Sequence, residues 1–396
     1  MVNELGVNWS YILKIINNFS NHFDDDWRKR KRKIDTQFLI IFIMRIIFSR
    51  ANLGYQGIIE EIWDNFDKSG ITPPQAKPFY ASSVCEARQK FLPEIIQEIN
   101  TNLINEFFEL NENNFRWHGK RIFAIDGSNI FLPRELIKEG YVQDKATGYV
   151  PYGKLSCLFH VGTGIVPHVI LDQNGDEREL AKQHLEYLLP EDVIVFDRGY
   201  FSYGLSLSIL NFGNHFVFRF SENQATKEMI NFIKSEKAED IVKIKPTDSF
   251  LRKGNKKHLF LKNSYIITRL IRYSINNKSY YLATSLCDNQ IPAQDIADLY
   301  HKRWGIEEHY KIEKSLINIQ NFHAKSEQGV LQEIYCATLL TNIARIMGSE
   351  VNEYKAKQDE ELKKKDQISS YVQKIMVYMT KKASKKIQGK KKKKCV

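Results

Sequence analysis

The spacing of hydrophobic positions changes near residue 116. Through residues 1–115 apolar side chains recur every three or four positions, as in Phe38 to Phe48 and Ile95 to Phe108. This spacing predicts helices and no strands. A serine three residues ahead of a glutamate, Ser83 to Glu86, resembles a capping box. We therefore predict a helix from Val84 to about Leu92 in an all-α N-terminal domain.

From residue 121 onward short β-rich runs replace the helical spacing. They are Arg121 to Asp126, Lys154 to Gly162, Val166 to Asp172, Asp192 to Asp197 and His215 to Phe220. Helical spacing returns in Glu177 to Leu189 and near Tyr203 to Leu210. The order β-β-β-α-β-α-β predicts an α/β fold, with a mixed sheet covered by helices.

Further strand-like segments lie between Lys257 and Leu286, around a turn at Asn276 to Lys278. After Pro292, which suits a first helical turn, the spacing predicts one long helix to about Ile317. A last helix is predicted from Gln328 to Met347.

Composition and charge narrow the class of protein. The 396 residues allow two or three domains, and 43% hydrophobic residues exclude disorder of the whole chain. The net charge of +11 points to a polyanionic partner. Nine lysines and no acid lie within 381–396, so the rest of the chain has only +2. The cationic run Arg28 to Lys33 is either a DNA contact or a solvated face.

Cysteines and apolar runs argue against three other classes. The five cysteines form no C-x-x-C pair, which disfavours a disulfide framework or a cysteine zinc site. Phe38 to Phe48 is too short to span a membrane, and the N-terminus has no leader pattern. We expect a soluble protein of a reducing cytoplasm without a membrane partner.

Two aspartates end apolar runs: Asp126 in IFAIDGSN and Asp197 in VIVFDRGYF. Open α/β sheets place their sites at strand ends. Either residue alone could instead cap a following turn. Their occurrence together favours a shared site.

The segment LYHKRWGIEEHYKIEKSL carries a third polar group. Tyr300, Arg303, Glu307 and Lys314 follow the spacing Y-x2-R-x3-E-x6-K, and at about 100° per residue they share one helix face roughly 60° wide. An apolar seam lies beside that face. The alternative is an ordinary amphipathic helix in which Arg303 pairs with Glu307 at i,i+4.

These residues resemble the DDE transposases of bacterial insertion sequences with the YREK signature, the insertion-sequence-four family. The resemblance covers Asp126 in DGS, Asp197 in DRGYF and the whole YREK segment. Residues 321–347 and 82–93 resemble further helical regions of that family.

The resemblance implies a ribonuclease-H-like core in which Asp126, Asp197 and Glu307 form the catalytic and metal-binding triad. Two Mg²⁺ ions are expected, with Mn²⁺ as a substitute, because three carboxylates provide the hard oxygen ligands that these cations prefer. Four residues are expected to contact DNA. The resemblance assigns Tyr300, Arg303 and Lys314 to this role, and Arg198 is a candidate whose alternative is pairing with a neighbouring acid.

The 110 positions between Asp197 and Glu307 exceed what one strand and one helix need, which fits the β-rich insertion subdomain of that family. The predicted domains are a helical DNA-end-binding domain at 1–115, the first part of the catalytic core at 116–221, the β-rich insertion subdomain at 222–290, the second part of the core at 291–350 and a basic tail at 351–396.

The function that the resemblance implies is cut-and-paste transposition. A homodimer would bind double-stranded DNA at the terminal inverted repeats, cleave it and join it to target DNA, at the nucleoid of a bacterial cytoplasm. Two alternatives stay open: a ribonuclease-H-like nuclease without strand transfer, and a non-catalytic DNA-binding protein derived from a transposase.

The lysine-rich tail yields a first prediction. Deleting residues 381–396 should flatten the slope of log affinity for DNA against log salt, because each lysine that neutralises a phosphate releases counterions. The preference for end sequence over random DNA should stay at the full-length value. Filter binding across a salt series measures both, and an unchanged slope would show that the tail does not contact DNA.

Overall fold

A computed structural model gives the fold. It describes residues 23–24, 27, 33–48, 53–68, 73–111, 114–143, 150–173, 175–246, 250–251, 264–288, 290–315 and 319–355. The chain forms two compact units. The first takes its described residues from Met1–Leu110, Ile130–Gly153 and Lys311–Val396, and the second from Asn111–Asn129 and Lys154–Tyr310.

The described residues contain ten α-helices and nine strands. The helices are α1 Thr36–Phe48, α2 Tyr55–Lys68, α3 Ala81–Lys90, α4 Pro93–Leu110, α5 Glu177–Gln183, α6 Tyr203–Asn211, α7 Lys227–Lys234, α8 Ala293–Lys302, α9 Gly305–Ser315 and α10 Glu327–Lys355. The strands are β1 Ile122–Phe131, β2 Val142–Gln143, β3 Pro151–His160, β4 His168–Asp172, β5 Val193–Phe196, β6 His215–Phe220, β7 Glu239–Ile244, β8 Ile266–Ile275 and β9 Lys278–Thr284.

The first unit is mainly helical, as its spacing predicts. Helix α10 packs against α1 and α4. Residues Leu39 to Met44 of α1 are all buried, because this helix is apolar on almost every side. Arg88 of α3 and Glu333 of α10 form a buried ion pair at 2.7 Å. Gln332 of α10 accepts a second hydrogen bond from the same guanidinium at 2.8 Å. This pair joins α3 to α10.

The start predicted for the helix after Tyr80 is wrong by three residues. The helix begins at Ala81 instead of Val84 and ends at Lys90, and the side chain of its N-cap residue Tyr80 makes no capping hydrogen bond. The side chain of Gln56 accepts the N–H of Ala81 at 3.0 Å. A partner distant in the sequence thus satisfies the first helical N–H group.

The second unit contains the predicted mixed sheet. Its strand order is β4-β3-β1-β5-β6-β9-β8-β7, in which β1, β5 and β6 are parallel and the strands from β6 to β7 are antiparallel. The strands β7 to β9, which lie in the segment 222–290, therefore extend the same sheet. The predicted boundaries of an insertion subdomain stay a prediction.

Helices cover both faces of this sheet. Ile194 and Phe196 of β5 pack with residues of α5, α6 and α7, whereas Val193 and Val195 pack with residues of α8. Alternate side chains of a strand point to opposite faces, so a strand that is apolar at every position must be covered twice. The sequence VIVF satisfies that condition.

The turn predicted at Asn276 to Lys278 is a two-residue hairpin loop. Ile275 pairs with Lys278, and Asn276 and Asn277 have φ values of 49° and 62°. Asparagine tolerates this left-handed conformation better than most residues, and two such positions match the twist of the flanking strands.

The described helices include none that is both long and apolar enough to span a lipid bilayer.

The side chains of two histidines and one serine form a buried chain of polar contacts in the second unit. The two Nδ1 atoms of His168 and His184 are 2.9 Å apart, and Nε2 of His184 is 3.0 Å from the hydroxyl of Ser156. Burial lowers the pKa of His168 to about 4 and that of His184 well below 6.5. Both imidazoles are therefore neutral in the folded protein near pH 6.

These buried histidines predict that the fold is less stable in acid. Below pH 6.5 the unfolded chain binds protons that the folded histidines do not, so the free energy of unfolding falls as the pH drops from 6.5 toward 4. His168 alone contributes about 1.4 kcal/mol per pH unit in that window. His168→Asn should flatten the dependence between pH 6.5 and 5 by up to about 2 kcal/mol in urea titrations. The exposed control His301→Gln should keep the wild-type slope.

Candidate active site

Two of the predicted carboxylates lie at one edge of the sheet. Ala124 of β1 is the parallel partner of Val195 of β5, so Asp126 and Asp197 each follow this pair by two residues. The turn-cap alternative for Asp126 is not supported, because β1 continues to Phe131. Instead Oδ1 of Asp126 accepts the N–H of Gly127 at 2.9 Å.

The single long helix predicted after Pro292 is wrong. Helix α8 ends at Lys302 and α9 begins at Gly305. The N–H groups of Arg303 and Trp304 bond to carbonyls three residues earlier, which tightens the chain into a turn. At Gly305 a β-carbon would lie 3.1 Å from the ring of Phe159. Glycine permits this close approach, and the turn gives Arg303 a position that one straight helix would not.

Arg303 is the centre of the site. Its Nη2 donates to Oε1 of Glu307 at 2.7 Å, and its Nη1 lies 3.8 Å from Oδ2 of Asp126. Only 5% of its side chain is exposed. The i,i+4 pair considered as an alternative therefore exists, and the same guanidinium also reaches a carboxylate on β1.

Asp197 has two other partners. The hydroxyl of Tyr300 donates to its Oδ1 at 3.1 Å, and Nε of Arg219 lies 3.6 Å from the same oxygen. Sequence reasoning missed Arg219. The available signal was a cation inside HFVFRF, a run that is otherwise almost entirely apolar and that forms the strand next to β5.

Two further predicted site residues are Arg198 and Lys314. Arg198 is exposed in the turn after Asp197 and forms no ion pair with the described residues. Lys314 is half-buried in the last turn of α9. The structure thus brings together Asp126, Asp197, Glu307, Tyr300 and Arg303.

The two aspartates titrate differently. Burial raises the pKa of Asp126 to about 6, against the opposing effects of the Gly127 N–H and Arg303. Burial would also raise the pKa of Asp197, but the N–H of Arg198 and the cation Arg219 hold it below its ordinary value. Asp197 is thus the more strongly ionised member of the pair.

Carboxylate oxygens that converge beside cations can do two things chemically. They can hold hard divalent cations, which prefer oxygen ligands. The guanidinium among them can bind phosphate oxygens, because its planar N–H fork matches their geometry.

Comparison with known proteins identifies the family. A family model described as "Transposase DDE domain" matches residues 117–343, which is more than half of the chain. The chain is 23% identical over 333 residues to transposase InsG for insertion sequence element IS4 of Escherichia coli (strain K12), covering 80% of this chain and 70% of the relative. A cryo-EM structure of the piggyBac transposase synaptic complex with hairpin DNA aligns with 94% of this chain and 78% of its own, at 11% identity and a TM-score of 0.45.

The site geometry and the family match agree with the resemblance to DDE transposases. The family acts on DNA and generally uses divalent metal ions for its catalysis. The protein belongs to the transposase DDE domain family and is a DNA transposase, an enzyme of polynucleotide strand transfer.

Proposed function

We propose that this transposase excises an insertion sequence by cutting at its ends and joins those ends to target DNA, with Asp126, Asp197 and Glu307 as its metal ligands. One observation carries the proposal. The carboxylates of Asp126 and Glu307 both contact the buried guanidinium of Arg303, and Asp197 lies at the end of the neighbouring parallel strand.

The donor set fits Mg²⁺. Three carboxylates leave room in an octahedral shell for water and substrate phosphates, and Mn²⁺ accepts the same ligands. Cations held there would activate a water or a 3′-hydroxyl and stabilise the leaving oxygen. The raised pKa of Asp126, about 6, supports this assignment, because a buried carboxylate among other acids is stabilised by an added positive charge.

The surrounding side chains would position the DNA. Arg303 has a fork of N–H groups suited to a phosphate at the cut, and Tyr300 orients Asp197 through its hydroxyl. Arg198, exposed directly after Asp197, and Lys314 would contact the strand further away. Their charges, not a base-specific pattern, would set these contacts.

The core around the site is proposed to be ribonuclease-H-like. The strands β4, β3, β1, β5 and β6 lie side by side, and they occur along the chain in the predicted order of three strands, a helix, a strand, a helix and a strand. The helical residues 1–115 would bind the DNA ends, and the segment 222–290 would be the insertion. Residues 351–396 would form a basic tail, most of which lies outside the described residues. A homodimer would pair the two ends at the bacterial nucleoid.

The triad prediction tests the site. Asp126→Asn, Asp197→Asn and Glu307→Gln should each abolish cleavage of end-bearing DNA, since each change removes a charged ligand while keeping the side-chain shape. Gel shifts with the same DNA in the absence of metal should stay near normal. Asp298→Asn on α8, an exposed aspartate, is the matched control and should cut at the wild-type rate.

Two results would change the assignment. Robust Mg²⁺-dependent cleavage by any of the three variants would remove that residue from the site. Wild-type protein that cuts end DNA but never joins it to a target plasmid would favour the nuclease alternative, and binding without cutting would favour the non-catalytic one.

The position of Arg303 yields a further prediction. Arg303→Ala leaves Asp126 and Glu307 without their shared cation, so the metal-free fold should lose about 2 kcal/mol, between the values of exposed and buried pairs. Cleavage should slow, and Arg303→Lys should recover only part of the rate. Because a divalent cation can replace the lost charge, Mn²⁺ should raise the melting temperature of Arg303→Ala more than that of wild type. Equal Mn²⁺ effects together with a normal cleavage rate would contradict this role.

A further inference from the structure

A fourth carboxylate, Glu177, lies beside the proposed metal ligands. It is the first residue of α5, whose N-cap Asp176 accepts the N–H of Arg178 at 2.8 Å. The guanidinium of Arg178 donates to the carbonyl of Gly199 at 2.8 and 3.2 Å. Gly199 is two residues after Asp197, so these bonds fix the first turn of α5 against the loop that carries one ligand.

The carboxylate of Glu177 also packs against β1, the strand that carries Asp126. A β-carbon on Gly127 would lie 3.3 Å from Oε1 of Glu177 and 3.0 Å from Cδ of Lys154. Gly127 directly follows Asp126, and the charge of Glu177 adds to the effect of burial in raising the pKa of Asp126. Glu177 is therefore within electrostatic reach of Asp126.

 No sequence motif marks Glu177 as part of the site. It lies 51 positions after Asp126 and 20 before Asp197, and only the fold brings the three residues together.

Lys154 donates a hydrogen bond to only one of the two oxygens of the Glu177 carboxylate among the described residues. Its Nζ donates to Oε1 of Glu177 at 2.7 Å, and Oε2 receives no hydrogen bond from the described residues. The Glu177 side chain is 37% exposed and that of Lys154 is 23% exposed. One carboxylate oxygen is thus held in place while the other can accept a ligand.

An independent observation marks the space between these acids as a ligand site. Tyr200 is 2% exposed, and its buried hydroxyl has no hydrogen-bond partner among the described residues. The backbone N–H of Tyr200 donates to the carbonyl of Asp197 at 3.2 Å, and burial and then the charges of Asp126, Glu177 and Asp197 raise the pKa of its hydroxyl. A buried hydroxyl without a partner is destabilising, and a bound oxygen ligand would satisfy it.

We infer that Glu177 is a fourth carboxylate ligand of the metal site, binding through Oε2 while Lys154 keeps Oε1. The inference rests on the proposed function of Asp126, Asp197 and Glu307. The hydroxyl of Tyr200 donates to an oxygen ligand in the loaded site. Lys154 limits the negative charge of the four carboxylates before a cation binds.

The test measures Mn²⁺ affinity of the full chain by isothermal titration calorimetry without DNA, so it does not depend on activity. Glu177→Gln should weaken Mn²⁺ binding at least about tenfold, the lower end of the effects seen for groups next to a metal. Glu179→Gln is the matched control on the same helix, because Glu179 is 65% exposed and, among the described residues, forms an ion pair only with Lys182, at 2.7 Å. It should bind Mn²⁺ like wild type.

Lys154→Met separates a ligand from a merely structural partner. If Glu177 binds the cation, removing the competing lysine should leave Mn²⁺ affinity unchanged or tighter. Equal weakening by Lys154→Met and Glu177→Gln would overturn the inference, because both would then act by breaking the ion pair. Melting temperatures of the metal-free variants verify that each one folds.

Asp126→Asn distinguishes this inference from the function on which it rests. Weaker Mn²⁺ binding by Asp126→Asn together with wild-type binding by Glu177→Gln would reject Glu177 alone. Wild-type binding by both variants would reject the metal site itself. Weakening by both, with Glu179→Gln unchanged, is the expected result.

Discussion

Repulsion between carboxylates is the constraint on which the second unit depends. Asp126 and Asp197 each follow the parallel pair Ala124 and Val195 by two residues, so the sheet itself brings two acids together, and Glu307 adds a third charge. The fold tolerates them because Arg303 contacts Asp126 and Glu307 while Arg219 lies beside Asp197. A buried guanidinium is costly to desolvate unless such partners surround it. Acids and cations therefore stabilise each other's burial.

The apolar sheet makes this arrangement rigid. β5 is buried at all four positions and pairs with β1 on one side and β6 on the other, so both its faces and both its edges are covered. The hydroxyl of Tyr310 donates to the carbonyls of Asp126 at 2.7 Å and Leu155 at 3.1 Å. Glu307 lies about one turn before Tyr310 on α9. The same helix is thus tied to β1 and β3 while it presents its carboxylate to Arg303.

The sequence predicted the strands well because their signal is local. HFVFRF matches β6 at both ends, and Asp197 directly follows β5 as the rule for strand ends predicts. The strand end predicted at Asp126 is wrong, because β1 continues to Phe131. The break of the signature helix was not predictable from spacing, since Arg303 and Trp304 are compatible with a helix. Beside the break, a β-carbon at Gly305 would lie 3.1 Å from the ring of Phe159, a contact between distant parts of the sequence.

The same reason explains the residues that were missed. Arg219 and Glu177 have no motif of their own, and their place near the aspartates follows from strand pairing and from the hydrogen bonds of Arg178 to Gly199. The start of α3 was missed for the same reason, because Gln56 of another helix accepts the N–H of Ala81. Local patterns identify elements, whereas partners across elements are set by the fold.

The charges at the site link metal binding to DNA binding. Asp126, Asp197 and Glu307 with Arg303 and Arg219 leave one net negative charge, and Glu177 with Lys154 adds none. Two divalent cations would turn this into three positive charges in a partly buried site, which is unfavourable without further anions. Phosphates of bound DNA supply them. Each ligand would then raise the affinity for the other by the same factor, so with the proposed ligands the full metal complement would belong to the DNA-bound enzyme.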